Sequence, residues 1–300
     1  MGNKTYMYRY SYIVPLLWLL LLSINASNCQ EETTALACKI QESIVGLKKQ
    51  EISARCSAAK TLGDIGAKAF EAVPALIKAL KDDSWEVKRD VIYALRRMGK
   101  KAIPAIPSLI EVIKGVNSGS RTVRAAATEA LGMLGEDAIE AVPSLIENLS
   151  DTDSLIWFTA TRAIIAIGKK ATPYLLVALQ NKKREIKLKA IIILGELKAS
   201  QAVPEFMKIL ESSEDDECRF IVVCALGKIG EPAATAIPIL IGLFQCEDDL
   251  LRETAIFSLG NIAKKDKIAI KALESFIKSE KKMAIVQVAE DALKKLLANQ

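Results

Sequence analysis

The most constraining feature of this 300-residue chain is an aliphatic residue that recurs at a nearly constant interval. Successive members lie 30 to 36 residues apart, a spacing typical of solenoids in which one helical unit stacks on the next. The eight positions are Leu62, Leu95, Leu131, Ile164, Leu194, Leu226, Leu259 and Leu293. The period therefore predicts an array of similar units rather than one globular core.

Each unit opens with apolar residues at relative positions 0, +4, +7, +8 and +11, which fall on one face of an α-helix. In one unit these residues are Val87, Val91, Ala94, Leu95 and Met98. A glycine usually follows, where a helix can end in the left-handed conformation. These glycines are Gly66, Gly99, Gly135, Gly168 and Gly230. The pattern predicts one such helix, named helix A, in every unit.

A proline follows each of these ends within a few residues and predicts the start of a second helix, named helix B. The prolines are Pro74, Pro107, Pro143, Pro173, Pro204 and Pro238. Apolar residues at Pro+2, +3 and +6, such as Leu76, Ile77 and Leu80, continue it. We expect eight A helices, seven B helices and a leading helix around residues 35–49. The predicted fold is all-α: one domain over residues 30–300, a right-handed α-solenoid of about eight stacked antiparallel helix pairs.

The repeated consensus resembles a known family. Val-Arg/Lys, then Ala-x-x-Ala-Leu-Gly-x-Ile/Leu-Gly and Ala-x-Pro-x-Leu-Ile, is similar to the HEAT-like repeats first associated with phycobilin lyase subunits. One copy comprises Arg55, Ala58, Leu62, Gly63, Ile65, Gly66, Val73, Pro74 and Leu76. Another comprises Cys218, Arg219, Ala225, Leu226, Gly227, Ile229, Gly230, Ile237, Pro238 and Leu240. The resemblance spans roughly residues 50–297 and implies a protein-binding scaffold, although Lys271 stands where the last unit should have proline.

Residues 1–28 have the layout of a secretory signal. Lys4 and Arg9 precede a short apolar run over 13–24 that small residues close. That run is shorter than the roughly 20 residues a membrane-spanning helix needs. We expect a signal peptide over 1–28 and an extracytoplasmic protein (periplasmic, envelope-anchored or secreted); the alternative is an N-terminal helix of the solenoid. Cys29 follows directly and is a candidate lipidation site, which would make the segment a lipoprotein signal.

Six cysteines in a chain predicted to be exported raise the question of disulfides. Cys218 opens one A helix and Cys246 closes the B helix paired with it. Because the two helices should run antiparallel, these ends should face each other. Cys218–Cys246 is therefore a candidate disulfide, whereas Cys38 and Cys56 are less well matched in height.

Charged residues form two sets with structural explanations. A basic residue occupies one repeat position at Arg55, Lys88, Arg124, Lys187, Arg219 and Arg252, with Trp157 as the exception. We expect this basic ladder to bridge neighbouring units, and ligand binding is the alternative. The acidic clusters 214–217 and 247–249 precede A helices and should cap them, since they lack the glycine and alternating spacing of a calcium loop.

Several functions are excluded by residues that the chain lacks. It contains no histidine, which excludes Ser-His-Asp and Cys-His catalysis, His-rich zinc sites and the iron-binding hydroxylase built on similar repeats. The Leu-Gly pairs are interpreted as helix ends rather than as a phosphate-binding loop. We expect no catalytic residue, no cofactor and no metal. A net charge of +5 is too small to predict nucleic-acid binding.

The function predicted is a non-enzymatic scaffold for a protein or peptide partner. The polar face of the B helices, at Pro+1 and Pro+4, should line the concave surface, and its mixed charge with one aromatic residue suits such a partner. The candidates are Lys78, Ser108, Glu111, Ser144, Glu147, Tyr174, Glu205 and Lys208. We expect a monomer or a partner-dependent complex that meets a membrane only through a lipid on Cys29. The alternative is an accessory subunit of a lyase-like or protein-modifying enzyme.

Overall fold

Sixteen α-helices and no strand occupy the residues that the structure, a computed structural model, describes: 33–115, 120–212 and 215–298. The A helices are α2 (Ile52–Ile65), α4 (Trp85–Met98), α6 (Arg121–Leu134), α8 (Ser154–Ile167), α10 (Arg184–Glu196), α12 (Asp216–Ile229), α14 (Asp249–Ile262) and α16 (Met283–Leu297). The B helices are α3 (Val73–Ala79), α5 (Ile106–Ile113), α7 (Val142–Asn148), α9 (Thr172–Ala178), α11 (Val203–Ser212), α13 (Ile237–Gly242) and α15 (Lys267–Ser279). The leading helix, α1, covers 33–46. The all-α prediction and the helix count are confirmed, although α1 ends three residues early.

Helix A begins at a capping side chain in most units. Asp215 and Asp248, from the two acidic clusters, accept hydrogen bonds from the backbone N–H groups of Cys218 and Leu250 respectively. Ser84 and Asp153 do the same for α4 and α8. The capping role predicted for the acidic clusters is therefore confirmed at these two residues.

Five A helices end at a glycine whose φ is positive, between 57° and 87°. The ψ angles of these glycines lie between −134° and −159°. The prediction of glycine at these helix ends is therefore confirmed, whereas the prediction that these glycines adopt the left-handed helical conformation is wrong. This region of backbone space is open almost only to glycine, so the requirement for glycine is stricter than the sequence suggested.

Helix B follows a short 3-10 segment in six of the seven pairs. Proline is the second residue of each of these six B helices, one place later than predicted. Proline has no backbone N–H, and this costs no hydrogen bond because the first N–H groups of a helix have no partner within the helix. The last B helix differs, since Lys271 replaces proline. There the Asp266 carboxylate accepts a hydrogen bond from the N–H of Ala269 at 2.8 Å and starts a helix of 13 residues.

The helices divide into two compact units, and the boundary along the chain falls between Ala102 and Ile103. The described part of the first unit contains α1 to α4. Its core is built from Leu62, Leu76 and Ile92, none of which has exposed surface. Since α3 is only 7 residues long, far below the length at which a helix is stable alone, its stability comes from burial of these side chains at roughly 1.5–3 kcal/mol each.

The second unit contains α5 to α16, in which each A helix packs against the next A helix in the chain. Of the eight recurring aliphatic residues of the whole chain, seven are at most 1% exposed. The eighth, Leu293, is half-buried because α16 is the last helix of the described residues. The recurring aliphatic residues are therefore the positions at which each A helix packs into the core.

The sequence suggested that the Leu-Gly pairs are helix ends, and this prediction is wrong. Gly132 and Gly195 lie inside α6 and α10, where the backbone of the following A helix passes close by. A Cβ on Gly195 would lie 2.9 Å from the Cα of Ala225. These glycines therefore set the spacing between neighbouring A helices.

Candidate protein-binding surface

The B helices present their exposed face at Pro+4, as the sequence pattern predicts. In six B helices this residue is exposed: Lys78, Glu111, Glu147, Val177, Lys208 and Gly242. Pro+1 is different, because its residues are half-buried or buried in all of these helices except α9. Pro+1 therefore lies at the edge of the exposed face and Pro+4 at its centre.

The second unit holds most of the candidate residues on four consecutive B helices. Glu111 and Glu147 are exposed on α5 and α7, whereas Ser108 is half-buried. Ser144 is only 6% exposed and lies below the surface. Lys78 belongs to the first unit, where it is exposed on α3.

The middle of this row is apolar. Tyr174 is 40% exposed and Val177 is 75% exposed, and both lie on α9. The sequence reasoning named Tyr174 and missed Val177, although Val177 holds the same Pro+4 place as the charged candidates. An aliphatic residue at a position that is otherwise polar is the signal that could have revealed it.

Polar contacts fix one edge of the apolar pair. Glu205 on α11 accepts a hydrogen bond from Gln180 Nε2 at 2.5 Å and pairs with Lys208 Nζ at 3.2 Å. Gln180 lies two residues after the end of α9, so this contact links the end of one B helix to the next B helix. The result is an ordered polar rim beside Tyr174 and Val177. We name the surface formed by Glu147, Tyr174, Val177, Glu205 and Lys208 the α7–α11 face.

Two members of the basic ladder, Arg55 and Arg124, bridge neighbouring helix pairs, as predicted, whereas the ion pair of Arg219 is with Asp216 of its own helix. In the first unit Arg55 makes two hydrogen bonds, of 2.7 and 3.0 Å, with the carboxylate of Asp82, which lies in the turn that leads to the next A helix. In the second unit Arg124 pairs with Asp151 at 2.8 Å and also donates to the carbonyl of Ile113, at the end of α5. These side chains are occupied in holding the repeats together.

Trp157, the exception in the ladder, is compensated by a lysine from the next A helix. Lys189 Nζ lies 4.5 Å from the centroid of the Trp157 ring and donates to the carbonyl of Leu149 at 2.6 Å. Burial lowers the pKa of Lys189. A cation therefore still neutralises the C-terminal end of α7, although it comes from a different helix.

The candidate modification sites fall into two groups. Cys218 is buried at the start of α12 and Cys246 is half-buried after α13; their disulfide stays a prediction. Cys29 lies outside the described residues, as does the predicted signal over 1–28, so lipidation and cleavage also stay predictions.

Within the described ranges, no group of three or more Cys, Asp or Glu side chains is arranged to hold a metal ion. In the same ranges, no helix is both long and apolar enough to cross a membrane.

Repeated helix pairs with an exposed row of B-helix residues define an α-solenoid of the kind that carries interaction surfaces. The chain belongs to the HEAT-repeat family. The family model for HEAT repeats matches residues 41–115, 106–186 and 172–260. No protein among curated sequences matches the chain significantly.

Solved structures are similar in fold at low sequence identity. Kap121p bound to Nup53p is 16% identical, with a TM-score of 0.67 over 86% of this chain and 33% of that one. This chain therefore corresponds to about a third of Kap121p. The complex of CpcE and CpcF of phycocyanin lyase from Nostoc sp. is 17% identical, with a TM-score of 0.47 over 51% of this chain and 98% of that one. Human deoxyhypusine hydroxylase is 22% identical, with a TM-score of 0.37 over 89% and 99% of the two chains.

Proposed function

We propose that this chain is a non-enzymatic HEAT-repeat scaffold, exported from the cytoplasm, that binds a protein or peptide partner through the α7–α11 face. The observation that supports it most is the exposed pair Tyr174 and Val177 on a helix of only 7 residues, with charged residues on the helices to either side. An apolar centre with a polar rim is the usual arrangement of a protein interface.

The energetics favour Tyr174 as the anchor of this interface. Aromatic residues at the centre of an interface contribute most to affinity, while the surrounding polar contacts exclude water and fix orientation. Glu205 is held in place by Gln180 and Lys208, so little side-chain entropy is lost when a partner covers it. The rim is therefore already organised for binding.

The non-enzymatic part of the proposal is supported by composition. Without histidine the chain lacks the side chain that most often transfers protons near neutral pH. The ladder arginines Arg55 and Arg124, which could have held an anionic substrate, are paired with Asp82 and Asp151 instead. Export is supported by the layout of residues 1–28.

The experiment compares partner capture by matched surface variants. Tyr174→Ala combined with Val177→Asp should raise the Kd of the captured protein by about 30-fold, as expected for loss of a central anchor. Phe257→Ala removes an aromatic side chain that is more exposed than Tyr174 (62% against 40%) from an A helix, α14, and should leave the Kd within about twofold. Equal capture by both variants would contradict the proposal.

Two further measurements test the remaining parts. Mass measurement of the mature N-terminus should show cleavage near residue 28 in protein recovered from outside the cytoplasm, and an intact N-terminus would contradict export. The alternative, an accessory subunit of a lyase-like or protein-modifying enzyme, predicts a coloured or covalently bound small molecule in the purified protein, or modification of the captured partner.

A further inference from the structure

The first unit contains a groove of about 520 Å³ beside Lys78. Its walls are the end of α1, the 3-10 segment Gly66–Ala72 and α3. The floor is aliphatic, and it is formed by Ile44, Leu47, Pro74, Ala75 and Ala79. The volume lies within the range of about 300–1,000 Å³ that is typical of ligand sites.

The rim of the groove is predominantly basic. Lys48, Lys78 and Lys81 line it, and all three are exposed. Of its two carboxylates, Asp82 is already neutralised by the paired hydrogen bonds from Arg55. Glu71 is the other. An occupant therefore meets an apolar floor beneath a rim of three lysines and Glu71.

We propose that this groove binds a short acidic segment of a partner protein, with an aliphatic side chain of that segment on the floor and its carboxylates beside Lys48, Lys78 and Lys81. Lysine ammonium groups on flexible stems can follow carboxylates at variable spacing. No aromatic or arginine side chain lines the groove, so it offers nothing on which nucleic-acid bases would stack. The site lies in the other unit from the α7–α11 face and goes beyond the proposed function.

The test uses the full chain and three fluorescein-labelled peptides of equal length. The first is acidic with leucines (DELEELED), the second replaces its leucines by serine (DESEESED), and the third is basic with leucines (KKLKKLKK). Fluorescence anisotropy at low salt should show binding of the first peptide, binding at least about tenfold weaker for the second, and none for the third. Affinity for the first peptide should fall as salt is added.

Variants of the protein locate the binding. Lys48→Glu combined with Lys78→Glu should weaken binding of the first peptide by about tenfold or more. Lys68→Glu reverses an exposed charge of the same unit outside the groove and should change the affinity by less than about twofold. Ala75→Trp should fill the floor and abolish binding without altering charge. Circular dichroism confirms that each variant is folded.

Four outcomes would overturn the proposal: no binding of the acidic peptide, equal binding by the charge-reversed variant, equal binding of the serine peptide, or binding of phosphatidylglycerol vesicles in place of the peptide. The Tyr174→Ala, Val177→Asp variant should bind the acidic peptide as the parent does. Failure of the groove and failure of the α7–α11 face are therefore distinguishable.

Discussion

A Cβ placed on Gly132 would lie 2.9 Å from the Cα of Ala163, on the next A helix. Real Cβ atoms essentially never approach another atom so closely in folded proteins, and here the neighbouring atom belongs to backbone. The same approach recurs between Gly195 and Ala225. Glycine at this place therefore lets successive A helices of the second unit pack with their backbones almost in contact.

Gly132→Ala is expected to destabilise the protein, although alanine is the better helix former. The gain in helix propensity is at most about 1 kcal/mol, whereas forcing a methyl group into a closed contact costs about 1–3 kcal/mol. Urea denaturation followed by circular dichroism should show a lower midpoint for the variant. A midpoint equal to that of the parent would contradict the close approach.

Gly242→Ala is the matched control for this substitution. Gly242 is the last residue of α13, with ordinary helical backbone angles and no atom within 4 Å of an added Cβ. Alanine there should leave the unfolding midpoint unchanged or raise it slightly, by at most about 1 kcal/mol in the free energy of unfolding. A lower midpoint for Gly132→Ala together with an equal or higher midpoint for Gly242→Ala would show that packing against the next helix, rather than helix propensity, determines the effect at Gly132.

Arg124 and Arg121 lie in the same helix and are expected to differ in their contribution to stability. Arg124 is largely buried and donates to Asp151, Asn148 and Ile113. Arg121 is 73% exposed and lies 3.7 Å from Asp153. Arg124→Met should lower the free energy of unfolding by about 1–3 kcal/mol, and Arg121→Met by less than about 0.5 kcal/mol. Equal effects, measured by urea denaturation, would refute a structural role for the ladder.

The helices could be predicted from the sequence because their signals are local. Aliphatic spacing within one unit defines helix A, and the proline defines the start of helix B. Repetition of these signals then makes the fold nearly certain, since each unit confirms the others. What could not be predicted depends on contacts between units. The Leu-Gly pair reads as a helix end until Ala163 is seen opposite Gly132.

The binding surface was predicted in part for a similar reason. A fixed offset from proline placed Glu111 and Glu147 on the exposed face of the B helices. It failed for Ser144, because Pro+1 lies at the edge of that face, where neighbouring elements cover it. Val177 was missed because the candidates at Pro+1 and Pro+4 were selected for polar or aromatic side chains. The groove beside Lys78 was not foreseen, since it requires α1 and α3 to be placed together.

Lys198→Gly is expected to stabilise the protein. Lys198 lies two residues after the end of α10 with a positive φ of 51°, and the N–H of Ala199 donates back to the carbonyl of Leu194 at 3.0 Å. A residue with a Cβ costs about 1–2 kcal/mol in this conformation, more than the entropy that glycine loses. We expect a gain of about 0.5–1 kcal/mol in thermal or urea unfolding. Arg162→Gly, at an exposed position inside α8, should instead cost about 1 kcal/mol.

Acid should destabilise the second unit through carboxylates that are charged in the folded state. Hydrogen bonds from Arg184 lower the pKa of Asp215, and backbone N–H groups, first that of Lys282, lower the pKa of Glu280. A lowered folded-state pKa means that the stabilisation is present above the unfolded value of about 4 and is lost as pH falls through the folded value. The melting temperature should therefore drop below about pH 4. Asp215→Asn combined with Glu280→Gln should make the melting temperature fall less steeply with pH. An unchanged fall would contradict the role of these two carboxylates.

Cys56 is expected to react slowly with thiol reagents, for a reason that one substitution can test. Burial raises the pKa of the Cys56 thiol, and the nearby carboxylate of Asp90 raises it further. Asp90 is only 4% exposed, on the neighbouring A helix, with its carboxylate 2.9 Å from Arg89. Asp90→Asn removes the negative charge and should lower the pKa of Cys56. Because the thiolate is the reactive form, alkylation of Cys56 by iodoacetamide at neutral pH should become about three- to tenfold faster. Exposed Cys38, on α1 of the same unit, is the internal control: its rate should not change. A constant ratio between the two rates would show that Asp90 does not raise the pKa of Cys56.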